Sequence, residues 1–223
     1  MVIPNNFLFT LIFLGIANWG TVIYFLFHLI KPKQKLTTIN DKRFISNVKN
    51  KTGLDVVIKI MDIDQMIGFM ISSPPFPAVM VFSRKLFDSF NRDEKEWVIL
   101  HESSHYFMWH SLKFALSQFT LLIVGIFIIN NFVVNEGIVL TLLIGLLLGL
   151  LYVQIAKIFE YEADNFAAKN MDDPKGMVTG NIKMRNDYNG FWQNKIFKNF
   201  FSIAVSYEDR IKMAEKQSGL KRK

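Results

Sequence analysis

Two histidines four residues apart, with a glutamate directly after the first, carry the clearest chemical meaning in this chain. The stretch reads His101-Glu102-Ser103-Ser104-His105. Four residues advance an α-helix by about 6 Å and slightly more than one turn, so the two imidazoles lie on one face and can share a metal ion. The glutamate lies about 100° around the helix, where its carboxylate can take a proton from water beside the metal. The pattern therefore predicts a hydrolytic zinc site with Glu102 as general base.

A second acidic stretch, Phe159-Glu-Tyr-Glu-Ala-Asp164, follows a long apolar run. A zinc site with two histidines needs a third protein ligand and an open position. On a helix Glu160 and Asp164 share a face, whereas Glu162 is rotated by about 200° and points away. We therefore predict Glu160 as the third ligand and Asp164 as the carboxylate that orients a ligating imidazole. Without the histidine motif, the same stretch would be read as an ordinary acidic helix surface.

The helix that must carry the histidines has its own signals. Asn91-Arg-Asp-Glu94 has the form of a capping box, and no proline or glycine occurs over residues 91–124. We therefore expect a helix through the motif, with five residues on one face: Trp97, His101, Ser104, His105 and Met108. His110 lies about 180° around that helix from His101, so we expect it in a core or interfacial position and not at the metal. The alternative is a helix whose histidines are only polar residues in a half-buried face.

The residues before this helix predict a small sheet. Residues 41–52 read as an amphipathic helix and residues 54–62 as a strand, with Gly53 between them. Residues 72–77 are proline-rich and should be irregular. Residues 78–83 are apolar, and we expect them to form an edge strand that pairs with a peptide substrate. An internal core strand is the open alternative.

Together these motifs resemble the HtpX-type membrane zinc metalloproteases, relatives of the CAAX prenyl proteases, whose pattern is an HExxH helix followed by E(F/Y)xAD. Five residues match it one by one: His101, Glu102, His105, Glu160 and Asp164. The resemblance continues upstream through residues 81–100, and His110 matches a histidine common after the motif. It implies a mainly α membrane protein with a small α+β zincin-like catalytic domain. It also implies zinc-dependent cleavage of membrane-associated or misfolded proteins and peptides.

One departure from the family pattern concerns transition-state stabilisation. Ala204 and Val205 stand where the family has His and Pro, and no histidine follows His110. The family's oxyanion-stabilising histidine therefore has no counterpart here. Its role would pass to one of three side chains, or remain unfilled: Arg210, Tyr207 or Tyr161.

Three apolar runs predict three transmembrane helices in a chain of 223 residues that is 51% hydrophobic. Residues 7–30 contain no Asp, Glu, Lys or Arg. Residues 114–129 and 137–156 predict a hairpin, with a non-spanning interfacial hairpin as the alternative. The predicted organisation is an N-terminal transmembrane helix, a first catalytic part, a transmembrane hairpin and a second catalytic part, at residues 1–31, 32–112, 113–156 and 157–223.

Basic residues predict the orientation. Half of the 26 Lys and Arg residues follow the first span or close the chain, whereas the hairpin link has none. We therefore expect the N-terminus outside the cell membrane, with the catalytic side and the C-terminus cytoplasmic. An even number of spans between His105 and Glu160 then brings both to one side, near the lipid surface. The same distribution explains the net charge of +7 through lipid head groups, so we do not expect a nucleic-acid partner. The sequence does not indicate an oligomeric state.

Two other functions fit parts of the sequence. Gly68, Pro77 and the approach to the zinc helix loosely fit the membrane sensor-transducers of β-lactam signalling, although a large extracellular sensor domain is missing. The absent C-terminal histidine also fits a catalytically weak homologue that acts as a membrane scaffold.

Overall fold

Helices account for most of the described residues, and a four-stranded sheet lies among them. The computed structural model describes residues 36–39, 42–71, 74–133, 138–187 and 205–221. Its helices are α1 Lys42–Thr52, α2 Arg84–Ser89, α3 Arg92–Phe107, α4 His110–Ile128, α5 Ile138–Asn170, α6 Lys175–Asp187 and α7 Tyr207–Lys221. The strands are β1 Leu36–Thr38, β2 Val56–Met61, β3 Gly68–Met70 and β4 Ala78–Ser83. The helix predicted at residues 41–52 is confirmed as α1. The strands predicted at residues 54–62 and 78–83 are confirmed as β2 and β4.

The sheet has the order β1-β2-β4-β3. Strand β2 runs parallel to β4, and the outer strands β1 and β3 are antiparallel to their neighbours. The prediction that residues 78–83 form an edge strand is therefore wrong. Strand β4 is internal, and five of its six residues are buried, since β3 covers its other side. The edge on this side is β3, which pairs Gly68 with Phe82 and Met70 with Met80.

Helix α3 carries the HExxH motif and begins with the predicted capping box. The Asn91 side chain accepts a hydrogen bond from the backbone N–H of Glu94, at 2.9 Å, and the Glu94 side chain accepts one from that of Asn91, at 2.8 Å. These bonds satisfy N–H groups that a helix start leaves open. Lys183 of α6 lies 2.7 Å from the buried Glu94 carboxylate. The start of α3 is therefore tied to α6.

A core of apolar side chains holds α3 between the sheet and α6. It includes Ile58, Met80 and Phe82 from the sheet, Trp97, Ile99 and Leu100 from α3, and Met177 from α6. Gly180 of α6 lies directly against the Trp97 ring, because a Cβ there would come within 2.8 Å of it. The motif helix is thus packed on two sides.

Helix α3 ends at Phe107, so His110 does not lie on the motif helix, although its expected position 180° around from His101 assumed that it would. Trp109 has a φ of 59°, in the left-handed region, and α4 begins at the next residue. The sequence does not signal this break, because residues other than glycine rarely adopt the left-handed conformation and the residue here is a tryptophan. Tertiary contacts of the neighbouring histidines, described below, accompany it.

Two helices in the described part of the chain are long and apolar enough to cross a membrane, over His110–Asn131 and Val139–Asn170. They cover residues 114–129 and 139–156 of the predicted hairpin runs, and a π-helical turn at Ile129–Val133 ends the first. The first predicted span, residues 7–30, lies outside the described residues. Residues Leu112–Ala156 belong to one compact unit, whereas Gln34–Ser111 and Lys157–Lys223 belong to another.

Candidate metal centre

Three side-chain ligand atoms converge where α3 meets the second half of α5. His101 Nε2 lies 3.2 Å from His105 Nε2. Oε2 of Glu160 lies 3.5 Å from His101 Nε2, and Oε1 lies 3.4 Å from His105 Nε2. Ligands at about 2.0–2.2 Å from a tetrahedral zinc ion are separated by about 3.4 Å, so the three spacings match one face of such a site. Two imidazoles and one carboxylate also suit zinc chemically, and the donor set fits the ion.

The other nitrogen of His101 faces Asp164. Nδ1 lies 2.9 Å from Oδ1 of that carboxylate, which is completely buried. This contact leaves Nε2 of His101 for a metal, because a carboxylate on one ring nitrogen fixes the proton there. Asp164 therefore lies where an orienting carboxylate has to lie, and its role remains a prediction.

Arg210 of α7 brings a positive charge to the two carboxylates of α5. Its Nη2 lies 2.9 Å from Glu160 Oε2, and its Nε lies 3.0 Å from Asp164 Oδ2. The guanidinium was predicted as one candidate for stabilising a transition state. In this structure it links the third candidate ligand to the carboxylate behind His101.

Tyr207 and Tyr161, the other two candidates for stabilising a transition state, lie on α7 and α5. Tyr207 is the first residue of α7, one turn before Arg210. Tyr161 is 39% exposed and hydrogen bonds through its side chain to Asp209. Burial lowers the pKa of the Arg210 guanidinium, but nearby negative charges, that of Tyr207 among them, outweigh this effect and raise it.

Glu102 is held by the edge strand. The backbone N–H of Met70 in β3 donates a hydrogen bond to Glu102 Oε2, at 3.1 Å. Burial raises the pKa of the Glu102 carboxyl to about 7, against the smaller lowering effect of the His101 charge. A carboxylate with a pKa near neutrality is suited to accept and return a proton during a reaction. Strand β3 was not among the elements predicted from the sequence.

The charge of the site favours a cation. Burial lowers the pKa of the His101 imidazole, but the Asp164 carboxylate outweighs that effect and raises it to about 10. Burial, together with the charge of the neighbouring His101, lowers the pKa of the His105 imidazole to about 3. The cluster therefore stabilises one positive charge among its carboxylates and keeps His105 neutral. A metal ion would take the place of that proton.

The sequence did not predict that His110 contacts both His105 and Glu162. His110 is completely buried, as expected for a core position, and it does not belong to the group of three candidate ligands. Its Nδ1 nevertheless lies 2.7 Å from Nδ1 of His105. Glu162 turns away from the three ligand atoms, as predicted, and approaches His110. The only sequence signal was the position of His110 five residues after the motif.

Comparisons with known proteins identify the family and the fold of this chain. The family model described as Peptidase family M48 matches residues 46–217, which include every candidate site residue. A search of curated proteins found no match. The crystal structure of Ste24p from S. mikatae is similar, with a TM-score of 0.59 and 17% sequence identity over 94% of this chain. The alignment covers 57% of that structure's chain, and at this identity it shows a shared fold. The family relationship predicted from the motifs is confirmed, and the chain belongs to peptidase family M48.

Proposed function

We propose that this protein is a membrane-embedded, zinc-dependent endopeptidase that cleaves membrane-associated or misfolded proteins at the cytoplasmic face. The observation that carries the proposal is the tetrahedral spacing of His101, His105 and Glu160 beside the half-buried carboxylate of Glu102. Membership of a peptidase family supports the reaction type.

The proposed reaction divides its tasks among named side chains. His101, His105 and Glu160 would hold zinc, which supplies Lewis acidity toward water and the peptide carbonyl. Glu102 would accept the proton of the attacking water and return it to the leaving amine. Met70 N–H keeps the Glu102 carboxylate in place before the substrate binds.

Strand β3 supports an extended peptide as substrate. Ile71 N–H donates to Val79 O at 2.9 Å, and Ile67 O accepts from Ser83 N–H at 2.8 Å, so these residues face β4. Alternation along the strand turns the backbone groups of Gly68 and Met70 to the open side, where Met70 meets Glu102. A peptide that adds to this edge would pass beside the general base. We therefore transfer the proposed substrate-pairing role from β4 to β3.

The two apolar helices support a membrane location. They expose large apolar side chains that water would solvate poorly, among them Leu116, Phe119, Phe127, Val139, Leu143 and Leu147. Basic residues flank the proposed spans on the side that carries the catalytic parts. We propose that substrates are reached at or near the lipid surface.

The test of this function is cleavage of a fluorescent casein by the full chain purified in detergent. After treatment with a chelator the protein should be inactive, and a stoichiometric amount of zinc should restore cleavage. Magnesium at the same concentration is the control, since it prefers oxygen ligands. Zinc binding without any cleavage would instead favour the scaffold function, which the missing C-terminal histidine already suggests.

A further inference from the structure

His110 lies directly behind the metal-facing edge of His105. The two Nδ1 atoms are 2.7 Å apart. On its other side, Nε2 of His110 lies 3.1 Å from Oε2 of Glu162. The His110 ring is completely buried and stacks on Phe159, with 5.1 Å between ring centroids. His105, His110 and Glu162 therefore form a continuous chain of polar contacts that leads away from the candidate metal.

The chain allows one consistent arrangement of protons when a metal is bound. Nε2 of His105 faces His101 and Glu160, so a neutral His105 that binds metal there carries its proton on Nδ1. Nδ1 of His110 must then be the acceptor, and His110 carries its own proton on Nε2. The Glu162 carboxylate then accepts a hydrogen bond from that N–H. Each nitrogen and the carboxylate has one role.

The break between α3 and α4 makes this contact possible. On a continuous helix a residue five positions after His105 would be rotated by about 140° from it and could not face its ring. The left-handed conformation of Trp109, with a φ of 59°, changes the direction of the chain immediately before His110. Backbone conformations of this kind are unfavourable for residues other than glycine and persist where surrounding contacts hold them.

We propose that His110 and Glu162 are positioning residues that fix the tautomer and ring orientation of His105, the role that is predicted for Asp164 at His101. This inference rests on the proposed metal site. Each histidine ligand would then have its own buried partner: a carboxylate behind His101, and an imidazole backed by a carboxylate behind His105. Such partners typically contribute ten- to a hundredfold to metal affinity.

The test compares two substitutions of His110 in the full chain. His110→Phe keeps a ring to stack on Phe159 but removes both nitrogens. His110→Asn keeps an amide oxygen close to the position of Nδ1, which can still accept the His105 proton. The measured quantity is the Kd for Zn²⁺, from competition with a chelator at fixed pH, together with thermal unfolding of the metal-free proteins.

We expect His110→Phe to weaken zinc binding about ten- to a hundredfold and His110→Asn to recover most of that loss. A purely structural role would not produce this recovery, because asparagine fills the cavity less well than phenylalanine. Zinc binding by His110→Phe at wild-type affinity would overturn the proposed positioning role. Equal losses of affinity in the two folded variants would also overturn it.

Glu162→Leu provides a second test if the His110 variants do not fold, because the Glu162 side chain is 45% exposed. It should also weaken zinc binding, and Glu162→Gln, which keeps an acceptor, should do so less. Wild-type affinity for zinc in Glu162→Leu would contradict the positioning role of Glu162. Wild-type protein that binds zinc but cleaves no casein would contradict the proposed function without contradicting the positioning role. The two failures are therefore distinguishable.

Discussion

Arg210 Nη2 donates a hydrogen bond to Glu160 Oε2 across 2.9 Å. The same guanidinium holds Asp164 through Nε, so one cation from α7 compensates two carboxylates that lie one turn apart on α5. Removing one partner of a buried ion pair leaves an uncompensated charge, which costs more than the pair itself contributes. Arg210 therefore supports the proposed ligand geometry, whatever it does in a transition state.

Arg210→Met should lower the free energy of unfolding by about 3–5 kcal/mol in the metal-free protein. The matched control is Arg185→Met, because Arg185 is 44% exposed and pairs with Glu208 at 3.7 Å. Such surface substitutions typically change stability by less than about 0.5 kcal/mol. Denaturant unfolding of both variants in detergent measures the difference, and equal effects would show that the Arg210 network contributes nothing to stability.

Asp164→Asn should weaken zinc binding about ten- to a hundredfold. The amide is similar in size but loses the negative charge that faces His101 Nδ1 and Arg210 Nε. Chelator competition measures the Kd. Asp62→Asn is the control, because that carboxylate is 79% exposed and contacts Arg84 instead. An unchanged Kd in Asp164→Asn would exclude an orienting role.

Gly68→Ala should reduce cleavage while zinc remains bound. A Cβ at this position in β3 would lie 2.7 Å from Cγ1 of Val98, and Glu102 is one helical turn beyond Val98. Overpacking of this kind costs about 1–3 kcal/mol and shifts neighbouring backbone, here the strand whose Met70 holds Glu102. Metal analysis and kcat/KM for casein separate the two effects. Gly219→Ala, where a Cβ would meet open space, should be normal in both.

Gly176→Ala should destabilise the contact between α6 and α3. The added Cβ would lie 2.6–2.7 Å from backbone and side-chain atoms of Asp93, in the first turn of α3. Backbone atoms cannot rotate away, so we expect a loss of about 1–3 kcal/mol. Alanine is otherwise the better helix former, and a measured gain in thermal stability would show that α6 moves freely relative to α3.

The pairing of residues within each motif was predictable because helical periodicity is a local property. Spacings of four residues put His101 beside His105 and Glu160 beside Asp164 before any tertiary contact is known. The capping box at Asn91 likewise depends on four consecutive residues. The motifs then indicated which two faces should meet.

Other features depend on contacts between distant residues. The break at Trp109 carries no glycine or proline, and its conformation accompanies the buried contacts of His110. Strand β3 has three residues, too few for an alternating pattern, and its place at the edge is defined by pairing with β4. The apolar stretch of β4 is equally consistent with an edge or an internal strand when read alone. Arg210 reaches the site through the docking of α7, which local patterns do not reveal.

The decisive measurement pairs zinc content with casein cleavage in wild-type protein and the Glu102→Gln variant, purified in parallel. Glu102 is not among the three proposed ligands, so both proteins should hold one zinc ion per chain. Cleavage should be zinc-dependent in the wild type and fall by at least about a hundredfold in the variant, since a general base contributes about 10²–10⁴-fold. Full cleavage by zinc-loaded Glu102→Gln would contradict the proposed mechanism.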